Sequence, residues 1–229
     1  MLILASNSPR RKELLALAGW AYMICSAHVD EQVQPVELPE AYVRRLAESK
    51  ARAALSERCS ASAGAETWIV AADTTVVSYS GAPGAYEILG KPTDAQDAER
   101  MLRLLRGRVH QVLTGLALLC VNDGRLLTDV CSTDVPMRDY TDAEIAAYIA
   151  SGDPMDKAGA YAIQHDGFKP IEHLHGCYAN VMGLPLCLLS RLLTQAGVHH
   201  QPGALVQTEL ARSCQQALDY ICPVFHLYQ

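Results

Sequence analysis

Residues 69–77 read IVAADTTVV. The run is short, apolar and rich in β-branched side chains, so it reads as a buried strand. Yet Asp73, Thr74 and Thr75 stand in its middle. Burying a carboxylate costs several kcal/mol unless it is paired or metal-bound. Two readings follow. Asp73 caps a neighbouring backbone N–H, or it marks the point where a core strand opens into a site, binding a divalent cation or orienting water.

Working outward, LILA at 2–5 is a short buried strand. Ser8 reads as a helix N-cap, Pro9 as the first helical residue and Gly19 as the stop. A second helix is expected over about 40–56, with Val43, Leu46, Ala47, Ala51, Ala54 and Leu55 at helical spacing. Residues 60–66 read as a loop, and 78–90 as a loop or distorted hairpin. Thr93 or Asp94 caps a helix that Gly107 ends. Residues 109–121 and 125–135 form a hairpin around Asn122-Asp123-Gly124. Thr141 and Glu144 make a capping box for a further helix. Short strands are expected within 153–183, and a last amphipathic helix from Pro185 to about Ala196. The pattern is an α/β fold with a mixed sheet over 1–197, followed by a tail, 198–229, with no clear period.

The chain has 229 residues, half of them hydrophobic, and a net charge of −6. That is enough for a sizeable core and argues against a nucleic-acid coat or a binder of anionic membranes. No apolar run reaches the ~18–20 residues that span a bilayer. Eight cysteines lie at 25, 59, 120, 131, 177, 187, 214 and 222, without a CxxC, and are expected to be reduced core thiols of a cytoplasmic protein, structural zinc or disulfides being the alternative.

Ser6-Asn7-Ser8-Pro9-Arg10-Arg11-Lys12 turns a strand into a helix start. Free backbone N–H groups, two hydroxyls and three cations there form either a phosphate cradle or an ordinary cap with a solvated basic turn. Asp30-Glu31 is an acidic pair, while Lys50, Lys91 and Lys157 border apolar segments. Taken together, such carboxylates and cations fit a triphosphate–metal site. His173, His175, His199 and His200 lack partners at metal-ligand spacing. No GxSxG, GxxxxGK[ST] or HExxH occurs.

Seven segments, in order and with compatible spacing, resemble the Maf family of nucleoside triphosphate pyrophosphatases: LILASNSPRRKELL, VDE, YVRRLAESKA, AADTTVV, LGKPTDAQDAERMLRLLRGRVHQVLTG, YIASGDPMDKAGAYAIQ and GLPL. The resemblance implies an elongated α/β fold with a mixed, twisted sheet and two lobes around a cleft. It implies a cytoplasmic, often homodimeric enzyme that splits a nucleoside triphosphate into monophosphate and diphosphate with Mg²⁺ or Mn²⁺. It assigns Asp73 as catalytic base or metal ligand, Glu31 as second metal ligand, and Ser6, Ser8, Arg11, Lys50 and Lys91 to the phosphates. Arg10, Thr74 and Gln164 resemble the dTTP/UTP subgroup, modified pyrimidine nucleotides included. The alternatives are the 7-methyl-GTP subgroup and a non-catalytic nucleotide-binding regulator of cell division. Two departures stand out: His165-Asp166 follow Gln164 where the family usually has glycine, and 79–87 looks like a small insertion.

Overall fold

The computed structural model describes residues 1–26, 28–57, 66–81, 84–198 and 207–223. The expected loop at 60–65, the centre of the expected insertion at 79–87, and His199-His200 lie outside those residues. The elements are β1 (Leu2–Leu4), α1 (Pro9–Leu17), β2 (Tyr22–Ile24), α2 (Pro39–Ser56), β3 (Trp68–Tyr79), β4 (Tyr86–Leu89), α3 (Ala95–Leu105), β5 (Val109–Cys120) and β6 (Leu126–Pro136). After them come α4 (Asp142–Ala150), two short 3-10 turns, α5 (Tyr178–Met182), α6 (Leu186–Gln195) and α7 (Gln207–Ala217). Six strands form one mixed sheet in the order β2-β1-β3-β5-β6, with β4 on β3. β1 runs parallel to β2 and β3, in the register Ile3 opposite Met23 and Ile69, whereas β4 returns antiparallel on β3. The expected mixed α/β fold is the one observed.

The chain forms two compact units. The first comprises 1–73, 114–131 and 177–229, and the second 74–113 and 132–176. In the first unit α2 covers the sheet with small side chains. Ala47, Ala51 and Ala54 pack with Ile3, Ala5, Ile69, Ala71, Ala117 and Leu119. The small face permits a close approach. A Cβ built on Gly115 of β5 would lie 2.3 Å from the Val43 carbonyl oxygen of α2. Only glycine fits there, and it sets the seat of α2.

In the second unit Asp94 caps α3 by accepting from the Asp97 N–H, and the Thr141–Glu144 capping box opens α4. Buried His110 meets the Tyr161 hydroxyl through Nε2 at 2.9 Å. Its Nδ1 has no hydrogen-bond partner among the described residues. Burial pushes the imidazole down to about 3.

Several expectations change. Ser8 is the N-cap of α1 by position, but its side chain makes no capping bond. Residues 153–183 hold 3-10 turns and α5 instead of short strands. The left-handed backbone at Gly159 and Ala160 turns the chain too tightly to pair. The tail carries a helix, α7. Nor are all thiols reduced: Cys25 is disulfide-bonded. Bridging follows from closeness in the fold, which sequence spacing does not reveal.

Two outcomes follow. Gly115→Ala lowers unfolding stability by about 1–3 kcal/mol through overpacking against backbone, measured by urea denaturation. His110 is neutral in the folded state down to its depressed pKa, whereas the unfolded chain protonates near the ordinary histidine value. Stability is therefore lost as pH falls through that window. From pH 7 to 5 this one residue removes about 2 kcal/mol, and the loss disappears when the same pH comparison is made on His110→Asn.

Candidate active site

The first unit gathers four charged side chains around the end of its stretch of β3. Asp73 is 6% exposed, Lys50 comes from α2, Glu31 from the loop before it, and Arg11 from the first turn of α1. The Lys50 ammonium donates to Asp73 Oδ1 at 2.6 Å and meets Glu31 Oε1 at 2.7 Å. Two carboxylates thus converge on one cation. Burial raises the Asp73 carboxyl above the usual carboxylate range, and Lys50 and Arg11 pull it back only in part. Burial likewise lowers the Arg11 guanidinium from its ordinary value.

The turn between β1 and α1 is built to aim Arg11. Ser6 Oγ, buried at the end of the strand, accepts from the Ser8 N–H at 3.2 Å and from Arg11 Nη1 at 3.2 Å. Arg11 Nε donates to the Gly183 carbonyl at 2.9 Å, which ties the basic turn to the end of α5. Ser8 and Arg10 are half-buried in the same turn. The first turn of α1 has no acidic residue, so its exposed N–H groups and cations present one positive face to an anion.

Three functional partners escaped the sequence reading. The Tyr42 hydroxyl donates to the Glu31 carbonyl at 2.9 Å, and burial pushes that phenol up to about 12. Arg45 donates to the Gln32 carbonyl and makes a two-pronged pair with Glu37. Together they hold the acidic loop on α2, eight and five residues before Lys50. Their signal was there: Tyr42 and Arg45 precede Lys50 on one helix. The third, the Gly183 carbonyl, is main chain and leaves no trace in residue type.

Thr74, Lys91 and Gln164 belong to the second unit. Thr74 is half-buried in β3, and Lys91 and Gln164 are exposed. The Gly159 N–H donates to the Gly90 carbonyl at 3.0 Å, joining the backbone before Lys91 to the segment leading to Gln164. A Cβ on Gly159 would come within 2.8 Å of Val76. Lys157 is spoken for: its ammonium bonds the Asp153 carbonyl, Asp153 Oδ1 and Asp156 Oδ1. The Tyr148 hydroxyl donates to Asp153 Oδ2 at 2.7 Å and accepts from the Ala162 N–H at 3.0 Å, two residues before Gln164.

Glu31 and Asp73 offer hard oxygen donors facing one cationic point, a set that suits Mg²⁺ or Mn²⁺. Mg²⁺ is commonly held by one or two carboxylates, with water and substrate phosphates completing its shell. Among the described residues no group of three or more His, Cys, Asp or Glu could hold a metal ion alone. Among those residues, too, no helix is long and apolar enough to cross a membrane.

Comparison with known proteins identifies the family. A dTTP/UTP pyrophosphatase of Thermomicrobium roseum is 45% identical over 197 residues, covering 86% of this chain and 84% of the relative. One from Chromobacterium violaceum is 46% identical over 197 residues, covering 86% and 94%. One from Pseudoalteromonas atlantica is 40% identical over 201 residues, covering 88% and all of the relative. Residues 1–196 match the family described as Maf-like protein. A match of that extent, reaching from β1 to the end of α6 and including the Lys50–Asp73–Glu31 cluster, places the chain in the Maf family.

Proposed function

We propose that the protein hydrolyses dTTP and UTP to the nucleoside monophosphate and diphosphate. The observation that carries this reading is the convergence of Glu31 and Asp73 on Lys50 beside Arg11. The names of relatives at 40–46% identity support it.

In the reaction, water attacks the α-phosphorus and the bond to the diphosphate oxygen breaks. Asp73 accepts the proton of that water. A carboxylate kept in a buried setting is a stronger base than one in water, and β3 holds it rigidly. Glu31 and Asp73 would hold the divalent cation, which neutralises phosphate oxygens when bound. Arg11, Lys50, Lys91 and the Ser6–Ser8 turn bind the polyphosphate and offset charge that develops on the leaving diphosphate. Arg10 and Thr74 contribute to substrate choice. Gln164 carries an acceptor carbonyl and a donor NH₂ group on its amide, the pair needed by the N3–H and O4 edge of thymine or uracil. A cytoplasmic location, where these nucleotides abound, and homodimer assembly belong to the same proposal through the resemblance.

The primary test is metal-dependent diphosphate release from a panel of dTTP, UTP, CTP and 7-methyl-GTP. The first two are turned over fastest; preference for 7-methyl-GTP overturns the base assignment, and no release from any of them leaves a nucleotide-binding regulator. Asp73→Asn lowers kcat about 10²–10⁴-fold with circular dichroism unchanged; retention of more than a tenth of wild-type release removes Asp73 as the base. Gln164→Ala weakens dTTP and UTP, read as kcat/KM, by about 3–10-fold, the worth of one or two neutral hydrogen bonds, with a smaller effect on CTP.

A further inference from the structure

Five cysteines of the first unit lie outside the acidic cluster. Cys131 ends that unit's stretch of β6, Cys177 caps α5, Cys187 lies on α6, Cys214 on α7 and Cys222 just beyond it. The last two belong to the segment past residue 196, where the family match stops. Its described residues are docked. Leu210 and Ala211 are buried, α7 packs on α1 and α6, and Ser213 Oγ donates to the Leu17 carbonyl at 3.2 Å. The Tyr220 ring lies 5.6 Å from Tyr178.

Cys177, Cys187, Cys214 and Cys222 line one cavity there with Tyr178 and Leu186. Its interior of about 10 Å³ has room for one water at most, so no organic ligand fits. The thiols also fall short of a metal-binding arrangement among the described residues. What remains is the chemistry of thiols with one another. Cys177 is in hydrogen-bonding reach of both Cys131 and Cys222, and all three are reduced. Cys131 is 2% exposed, whereas Cys222 is half-buried beside the exposed Ile221, so an oxidant in solution reaches Cys222 before Cys131.

We propose that Cys222 and Cys177 are a peroxide-driven disulfide pair that fastens the C-terminal segment to the family domain. The Cys222 thiolate attacks one peroxide oxygen, the O–O bond breaks, and hydroxide leaves and takes up a proton, giving a sulfenic acid and one water. The Cys177 sulfur then attacks the sulfenic sulfur; the S–S bond forms, the S–O bond breaks and a second water leaves with the Cys177 proton. Two thiols and one hydrogen peroxide become one disulfide and two waters. The neighbouring thiols and burial raise the Cys177 thiol, so it is the slower of the two toward peroxide and the first attack falls to Cys222; its closeness to Cys222 then makes it the resolving partner. Closing so long a loop also restricts the unfolded chain, so the oxidised form is the more heat-stable.

The test treats the full-length protein with a small excess of hydrogen peroxide, followed by non-reducing peptide mapping and thermal unfolding. The expected result is a peptide pair joining Cys177 to Cys222, two fewer free thiols, and a Tm raised by several degrees that dithiothreitol reverses. Cys222→Ser and Cys177→Ser abolish the link and the shift, while Cys131→Ser keeps both. Cys222→Ser alters a half-buried side chain, so its folding is not in question. A Cys131–Cys177 link, sulfinic acid without any link, or no loss of thiols overturns the proposal.

Discussion

A single ammonium shared by two carboxylates organises the first unit. Lys50 reaches Asp73 and Glu31 at about the same distance, and each partner comes from a different part of the chain. The arrangement is unfavourable for stability by itself. Burial holds the Asp73 carboxyl above its usual range. The sign is clear: a raised carboxyl favours the folded state below the ordinary carboxylate pKa and loses that contribution as pH rises through the folded value. Burial therefore makes this carboxyl harder to ionise than one in water, and Lys50 and Arg11 offset that only in part. Such a debt is the usual mark of a site kept for chemistry rather than for stability. The surrounding structure limits the freedom of each member: Gly115 seats α2, Tyr42 and Arg45 hold the Glu31 loop, and Ser6 with the Gly183 carbonyl aims Arg11.

That arrangement explains which parts of the protein the sequence reveals. The interruption of IVAADTTVV by an acid is visible because buried strands do not otherwise tolerate one. The helix over 39–56 is visible because its alanines recur at helical spacing, and the boundary residues Pro9, Asp94 and Thr141 are visible because caps are local chemistry. β2 escaped because three residues, two of them exposed, carry no period. The turns at 153–160 escaped because polar and glycine residues there carry no period, and their path depends on positive φ at Gly159 and Ala160. α7 escaped because a short helix takes its stability from the surface it meets, here α1 and α6. Within the site, side-chain types announced the cluster, whereas the main-chain acceptors on Gly183, Glu31 and Gln32 could be seen only in three dimensions.

The second unit braces the segment that leads to Gln164. Gln164 has no burial to fix it, so its segment is fixed from behind. Lys157 neutralises Asp153, Asp153 accepts from the Tyr148 hydroxyl, and that hydroxyl accepts from the Ala162 N–H. The same ring stacks on Phe168 at 4.3 Å and meets the edge of His165 at 4.7 Å. A chain of this kind rigidifies a turn because every polar member named in it has a partner.

The resemblance implies glycine after Gln164, and this platform accommodates His165 in its place. Glycine would leave the turn after Gln164 to its backbone alone. His165 instead accepts the Phe168 N–H through Nδ1 at 2.9 Å and leans on Tyr148. A ring nitrogen that accepts from an N–H carries no proton, which fixes the tautomer with hydrogen on Nε2. The imidazole is thus committed to the turn through one nitrogen and one face. It puts a packed, hydrogen-bonded ring directly after Gln164, where glycine would offer neither contact.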